Sequence, residues 1–130
     1  MIYDIVKYSI ILLSLDSIYL KIAGPKFVKM TEKIQGETFQ IRVEFAVIVY
    51  IVLVLAWFNF IYPEIKTNKL KDLVIKAFIL GLCIYATYDF TNLAILNNYR
   101  LDLAILDSVW GGTLFALSTF LFVQIKKYIT

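Results

Sequence analysis

Histidine is absent from this chain, so the commonest metal ligand and acid–base side chain is missing. Any chemistry falls to carboxylates, tyrosine, asparagine, lysine or backbone groups. A single cysteine, Cys83, excludes an internal disulfide and leaves the redox compartment unread. Charge is scarce as well. Only 18% of residues are charged, and thirteen basic against ten acidic side chains give a net +3. The lysines gather at the ends of apolar runs and form no basic patch, which excludes nucleic acid as an expected partner. No secretion signal is legible either. The first apolar run lacks a basic leader, carries Asp16 within it and is not followed by an Ala-x-Ala site, so it is expected to be retained.

What the chain has is apolar surface. Hydrophobic side chains make up 61% and aromatics 16% of its 130 residues, far beyond a water-soluble domain. The expectation is an integral, multi-pass membrane protein with the lipid bilayer as its solvent. Four runs approach the roughly 20 helical residues needed to cross a hydrocarbon core: Ile5 to Ile22, Val43 to Tyr62, Leu73 to Leu96 and Leu103 to Ile125. Residues 1–130 are therefore expected to form one all-α domain, four transmembrane helices in an antiparallel bundle. Gly24-Pro25 is expected to break the first helix. Beyond it, Phe27, Met30 and Ile34 alternate with Lys26, Lys29, Glu32 and Lys33, as in a short interfacial helix that starts near Pro25 and stops at Gly36. Ala77 with Gly81, and Ser108 with Gly112 and Ala116, permit close approach of the last two helices.

Four crossings put both termini on one face. Lys7, Lys66, Lys69, Lys71, Lys76, Lys126 and Lys127 fall on that face, against Lys21, Lys26, Lys29, Lys33, Arg42 and Arg100 on the other. The balance, weighted to the short turns, places the termini in the cytoplasm.

Ionisable groups inside a span are costly, and function is their default explanation. Asp16 lies six residues before the end of its run, Asp89 seven before the end of its own and Asp107 four after the start of its own. At 1.5 Å per residue these are depths of roughly 9, 10 and 6 Å below one membrane face. Tyr85, Asp89 and Asn92 share one helical stripe, Asp16 and Tyr19 another, and Asp107 and Gly111 a third. All three stripes are expected to face the bundle interior. Three carboxylates at close range are not all ionised cheaply, so either one holds a proton or a cation sits among them. Asp16, Asp89 and Asp107 are the candidates for a hard cation, and no organic cofactor is expected. Alternatively these groups bond one another, or pair with Lys21, Arg42 or Arg100, and only fix helix register.

Leu15-Asp16 with an aromatic at Tyr19, then Tyr88-Asp89-Phe90-Thr91-Asn92-Leu93-Ala94, then Asp107-Ser108-Val109-Trp110-Gly111, together resemble a family of four-span predicted membrane proteins of unknown function from bacteria and large DNA viruses. That family more often carries Trp where this chain has Tyr19. The resemblance implies a four-span fold but no activity, and Thr91, a hydroxyl beside Asp89 and Asn92 near one end of an apolar run, and Trp110 complete the candidate site.

Three functions stand open. The first is a small protein, expected to be a homo-oligomer, whose pocket of Asp16, Tyr19, Tyr85, Asp89, Thr91, Asn92, Asp107 and Trp110 binds or conducts a cation, proton or small polar solute. The second is an intramembrane enzyme acting on a lipid or isoprenoid, with Asp89 and Asp107 as acid and base or as metal ligands. The third is a structural subunit without catalysis.

Overall fold

The computed structural model describes residues 1–129, with side chains as far as Lys127. Its elements in order are α1 (Ile2–Gln35), α2 (Val43–Phe60), a single 3-10 turn (Tyr62–Glu64), α3 (Leu70–Ile95) and α4 (Leu101–Ile129). Three segments, Val43–Glu64, Leu70–Ile95 and Leu101–Lys127, are long and apolar enough to cross a membrane. α1 is the exception, because Asp4, Lys7, Asp16 and Lys21 fall within its first two-thirds.

The expected break at Gly24-Pro25 does not occur, and the separate interfacial helix is a correction to make. α1 runs unbroken through Pro25 and ends only at Gln35, where Gly36 adopts the left-handed conformation (φ 74°) and returns its N–H to the Glu32 carbonyl at 2.9 Å. Proline removes one helical hydrogen bond, the one to the Lys21 carbonyl. Its usual second cost is a clash with the Cβ of the preceding residue, and Gly24 has none. The stripe expected to lie on the bilayer also meets protein: Met30 is buried, and its Sδ accepts the Arg100 backbone N–H at 3.2 Å.

Polar residues on α1 recur about once per turn on the buried side: Asp4, Tyr8, Asp16 and Tyr19, with Leu12 between. Its outward serines turn their hydroxyls onto the preceding turn, Ser9 to the Ile5 carbonyl and Ser17 to the Leu13 carbonyl, each at 2.7 Å. Thr87, Thr113 and Asn59 do likewise on the other helices. Such back-bonding leaves no polar group unsatisfied where the surroundings are apolar.

The core is aromatic. Tyr8 stacks on Trp57 with ring centroids 3.6 Å apart, and Phe122 packs edge-on to both. Each polar tip finds a hydroxyl on α4: the Tyr8 phenol meets Ser118 at 2.8 Å, and the Trp57 indole N–H donates to Thr119 at 2.9 Å. α3 and α4 are the most intimate pair. A Cβ on Gly81 would stand 2.1 Å from the Gly111 carbonyl oxygen, and one on Gly111 would meet Tyr85 at 2.2 Å, so the two backbones touch there. Gly81 of the expected Ala77–Gly81 stripe is thus at the contact, facing Gly111, while the expected Gly112 lies against Phe78. α2 buries only Leu53 and Trp57 and leaves most of its Val, Ile and Leu side chains exposed, a face suited to lipid.

Candidate functional site

Four aspartates of the chain each accept a hydrogen bond from a tyrosine. Tyr62 donates to Asp4, Tyr50 to Asp16, Tyr99 to Asp89 and Tyr19 to Asp107. The last three lie near one another, around Tyr19. Asp16 on α1 is buried, and both its oxygens are used: Oδ2 by Tyr50 of α2 and Oδ1 by the Trp110 indole N–H of α4 at 2.9 Å. One side chain therefore ties three helices. Trp110 also stacks on Tyr19 at 4.7 Å, nearly parallel, and the Tyr19 hydroxyl donates to Asp107 Oδ1 at 2.9 Å.

Asp89 on α3 is fully buried. Its Oδ1 accepts the Tyr99 hydroxyl at 2.8 Å, whereas Oδ2 is the one buried side-chain oxygen or nitrogen among the described residues with no hydrogen-bond partner. The polar neighbours of that carboxyl are the Asp107 carboxyl and the Ser108 hydroxyl, the latter already donated to the Ala104 carbonyl at 2.7 Å. Two carboxyl groups thus lie side by side, Asp89 shut away from solvent and Asp107 partly open to it. An ionised pair there, with no cation beside it, is costly.

The remaining expected residues divide. Tyr85, half-buried, lies among Asp16, Asp107, Tyr50 and Tyr19. Asn92 lies one turn beyond Asp89, against Tyr88 and Tyr99. Thr91 is exposed, because two residues on from Asp89 is about 200° around a helix. Lys21, Arg42 and Arg100, weighed as partners for the acids, make no ion pair with Asp16, Asp89 or Asp107, and Arg100 pairs with Asp102 at 2.5 Å instead. Among the described residues no three of His, Cys, Asp and Glu come together as a metal-holding group.

Tyr50 and Tyr99 belong to the site and were not legible as members. Tyr50 is a phenol in the middle of the most lipid-like run. Tyr99 follows Asn98, whose left-handed backbone (φ 71°) turns the short α3–α4 connection back over Asp89. Burial, and then the bond to the Asp89 carboxylate, push the Tyr99 phenol above its ordinary range. At the other end of the molecule the Tyr62 hydroxyl, aided by Lys126 at 3.1 Å, holds the Asp4 carboxyl below its ordinary range.

Two clefts reach the acids. One of about 340 Å³ lies among Val49, Leu53, Ile84, Tyr85, Tyr88 and Asp107. A second, of about 800 Å³, opens along the C-terminal half of α1 and also ends on Tyr88 and Asp107. Asp107 is therefore the acid that both clefts touch, and Asp89 lies sealed behind it.

No curated protein and no solved structure matches the chain. A family described as predicted membrane protein (DUF2177) matches over residues 1–123, which agrees with the membrane-protein family expected from the motifs. With three membrane-length helices in hand and a match over nearly its full length, the chain belongs to that family of predicted membrane proteins.

Proposed function

We propose that α1 is a fourth span, that the four helices pack as an antiparallel bundle with cytoplasmic termini, and that the Asp89–Asp107 pair binds and passes a proton. Support for α1 as a span comes from its side chains: Asp16, the charge in the middle of the run, is buried, and its outer face carries Val6, Ile10, Leu13 and Ile18. The successive pairings Phe78 with Gly112, Gly81 with Gly111 and Asp89 with Asp107 fit α3 and α4 running in opposite senses.

The observation that carries the proton reading is the unpartnered Oδ2 of a fully buried Asp89 beside Asp107. A single proton on one carboxyl supplies the missing donor and removes the repulsion between the two. Loss of that proton to Asp107, and from Asp107 into either cleft, is the step that would make the pair conduct. A hard cation is the competing occupant, and a second copy of the chain is the simplest way for so small a bundle to complete a path.

The test is proton flux into liposomes that hold the purified chain and a pH-sensitive dye. Flux above that of empty liposomes, abolished by Asp89→Asn with the oligomer intact, is the expected result. Wild-type liposomes no leakier than empty ones, or a sodium or potassium flux without proton movement, would overturn the reading.

A further inference from the structure

One proton removes the repulsion between Asp89 and Asp107 but not their charge. Two carboxyl groups that share a single proton keep one negative charge between them. The hydrogen bonds they accept from Tyr99 and Tyr19 come from neutral hydroxyls and do not offset it. The ion pairs among the described residues go to other acids, Glu64, Asp102 and Asp4. A negative charge held in apolar surroundings without a basic partner calls for a cation from outside the chain.

The smaller cleft is where such a cation can reach the pair. It lies between α2 and α3, with Val49, Leu53 and Ile84 as aliphatic walls and Tyr85 and Tyr88 beside them. Among the described residues Asp107 is the sole charged group lining it, whereas the larger cleft brings Lys21 and Lys29 to the same acid. Asp107 is partly buried and, among the described residues, accepts one hydrogen bond, so its carboxylate has room for a further donor.

The walls choose among cations. A hard divalent ion takes six or more oxygen ligands, and a cleft with one carboxylate and two phenols falls short of that. An ammonium ion with an apolar body matches both parts of the cleft. Its N–H meets the carboxylate, the tyrosine rings attract its charge, and its body covers the aliphatic walls. The volume, about 340 Å³, is near the lower end of small-molecule sites, about 300–1,000 Å³, and suits a compact ligand. Val49 and Tyr88 are exposed on the outside of their helices, so the cleft opens towards the lipid in which such a molecule dissolves.

The geometry points to a binding site for a monovalent, apolar-bodied ammonium ion between α2 and α3, its N–H on Asp107 and its body against Val49, Leu53 and Tyr85. The assignment rests on the proton reading in one respect, that the acid pair holds a single proton and so a single negative charge.

The probe is N,N-dimethylbenzylamine, which is charged at neutral pH, and the readout is equilibrium dialysis of the purified full chain in detergent against the same detergent without protein. Saturable uptake by wild type is expected. Isobutylbenzene, of the same shape and without charge, should bind about tenfold more weakly or less, and so should phenylacetate. Sodium chloride at the amine's own concentration should not displace it. Asp107→Asn should weaken amine binding about tenfold or more, and so should Val49→Trp, which fills the cleft and leaves the acids in place. Glu37→Gln, which removes an exposed acid elsewhere, should leave it unchanged. Equal uptake of the amine and isobutylbenzene, displacement by sodium, or indifference to Asp107→Asn or Val49→Trp would each overturn the proposal. The comparison of the two ligands on wild type stands whether or not a variant folds. A wild type that passes protons into liposomes yet takes up no amine overturns this proposal alone. One that takes up the amine saturably without proton flux supports it, and only the conduction fails.

Discussion

Trp110 donates its indole N–H to Asp16 at 2.9 Å across 94 positions of sequence, and the oxygen beside it on the same carboxylate takes the Tyr50 hydroxyl. That carboxylate is the junction of α1, α2 and α4. Asp16→Ala strands the two donors, at a cost of about 1–3 kcal/mol for each that stays buried. Asp16→Asn, which keeps one acceptor oxygen, should cost less. Thermal unfolding of both variants in detergent checks the order. A reversed order would mean that Asp16 is not the junction.

Gly81 and Gly111 set how closely α3 and α4 approach. Adding a methyl group at Gly81 drives it into backbone, which cannot swing aside as a side chain can. Gly81→Ala should lose about 1–3 kcal/mol of stability. An unchanged or raised melting temperature for Gly81→Ala would refute the packing described for α3 and α4.

Asp4, Tyr62 and Lys126 bring the N-terminal turn of α1, the 3-10 turn and the end of α4 together. The Asp4 carboxyl is held below its ordinary value of 3.8, so the stabilisation it gives is fully present above that pH and is lost as the pH falls through the lowered value. Stability near neutrality should therefore be insensitive to this group's titration. Melting curves of wild type and Asp4→Asn taken from neutral to strongly acidic pH should converge at the acid end. Parallel curves would show that Asp4 does not titrate differently in the folded chain.

Tyr99 is raised, and the sign is the opposite. Its contribution is complete below the ordinary phenol value of 10.0 and is lost as the pH rises through the higher folded value. Tyr99→Phe removes the one donor to a buried carboxylate and should cost about 1–3 kcal/mol at neutral pH. An alkaline melting series should show the difference between wild type and variant shrinking only at strongly alkaline pH.

The acids were legible as candidates because burial cost is written in residue type: Asp16, Asp89 and Asp107 stand out in apolar runs, and Asp16 and Asp89 are buried. Their partners were less so. Trp110 and Tyr19 were flagged near the acids, but Tyr50 looks like any interfacial aromatic, and Tyr99 reaches Asp89 only through the positive φ of Asn98, which the residue type permits and does not demand. Gly24-Pro25 misled for a local reason. Read separately, both residues weaken a helix, whereas in this order the glycine removes the clash that the proline would otherwise make. Thr91 stood out as a hydroxyl close in sequence to Asp89, and the helical angle turns it outward.

The proton assigned to Asp89 and Asp107 is open to direct observation by infrared spectroscopy of the purified chain in an ester-free detergent at neutral pH. A protonated carboxyl gives a C=O stretch distinct from that of a carboxylate, and it shifts in heavy water. The account expects such a band in wild type and its loss in both Asp89→Asn and Asp107→Asn, with Asp16→Asn retaining it. A wild-type spectrum with no protonated-carboxyl band, or a band that survives both substitutions, would contradict it.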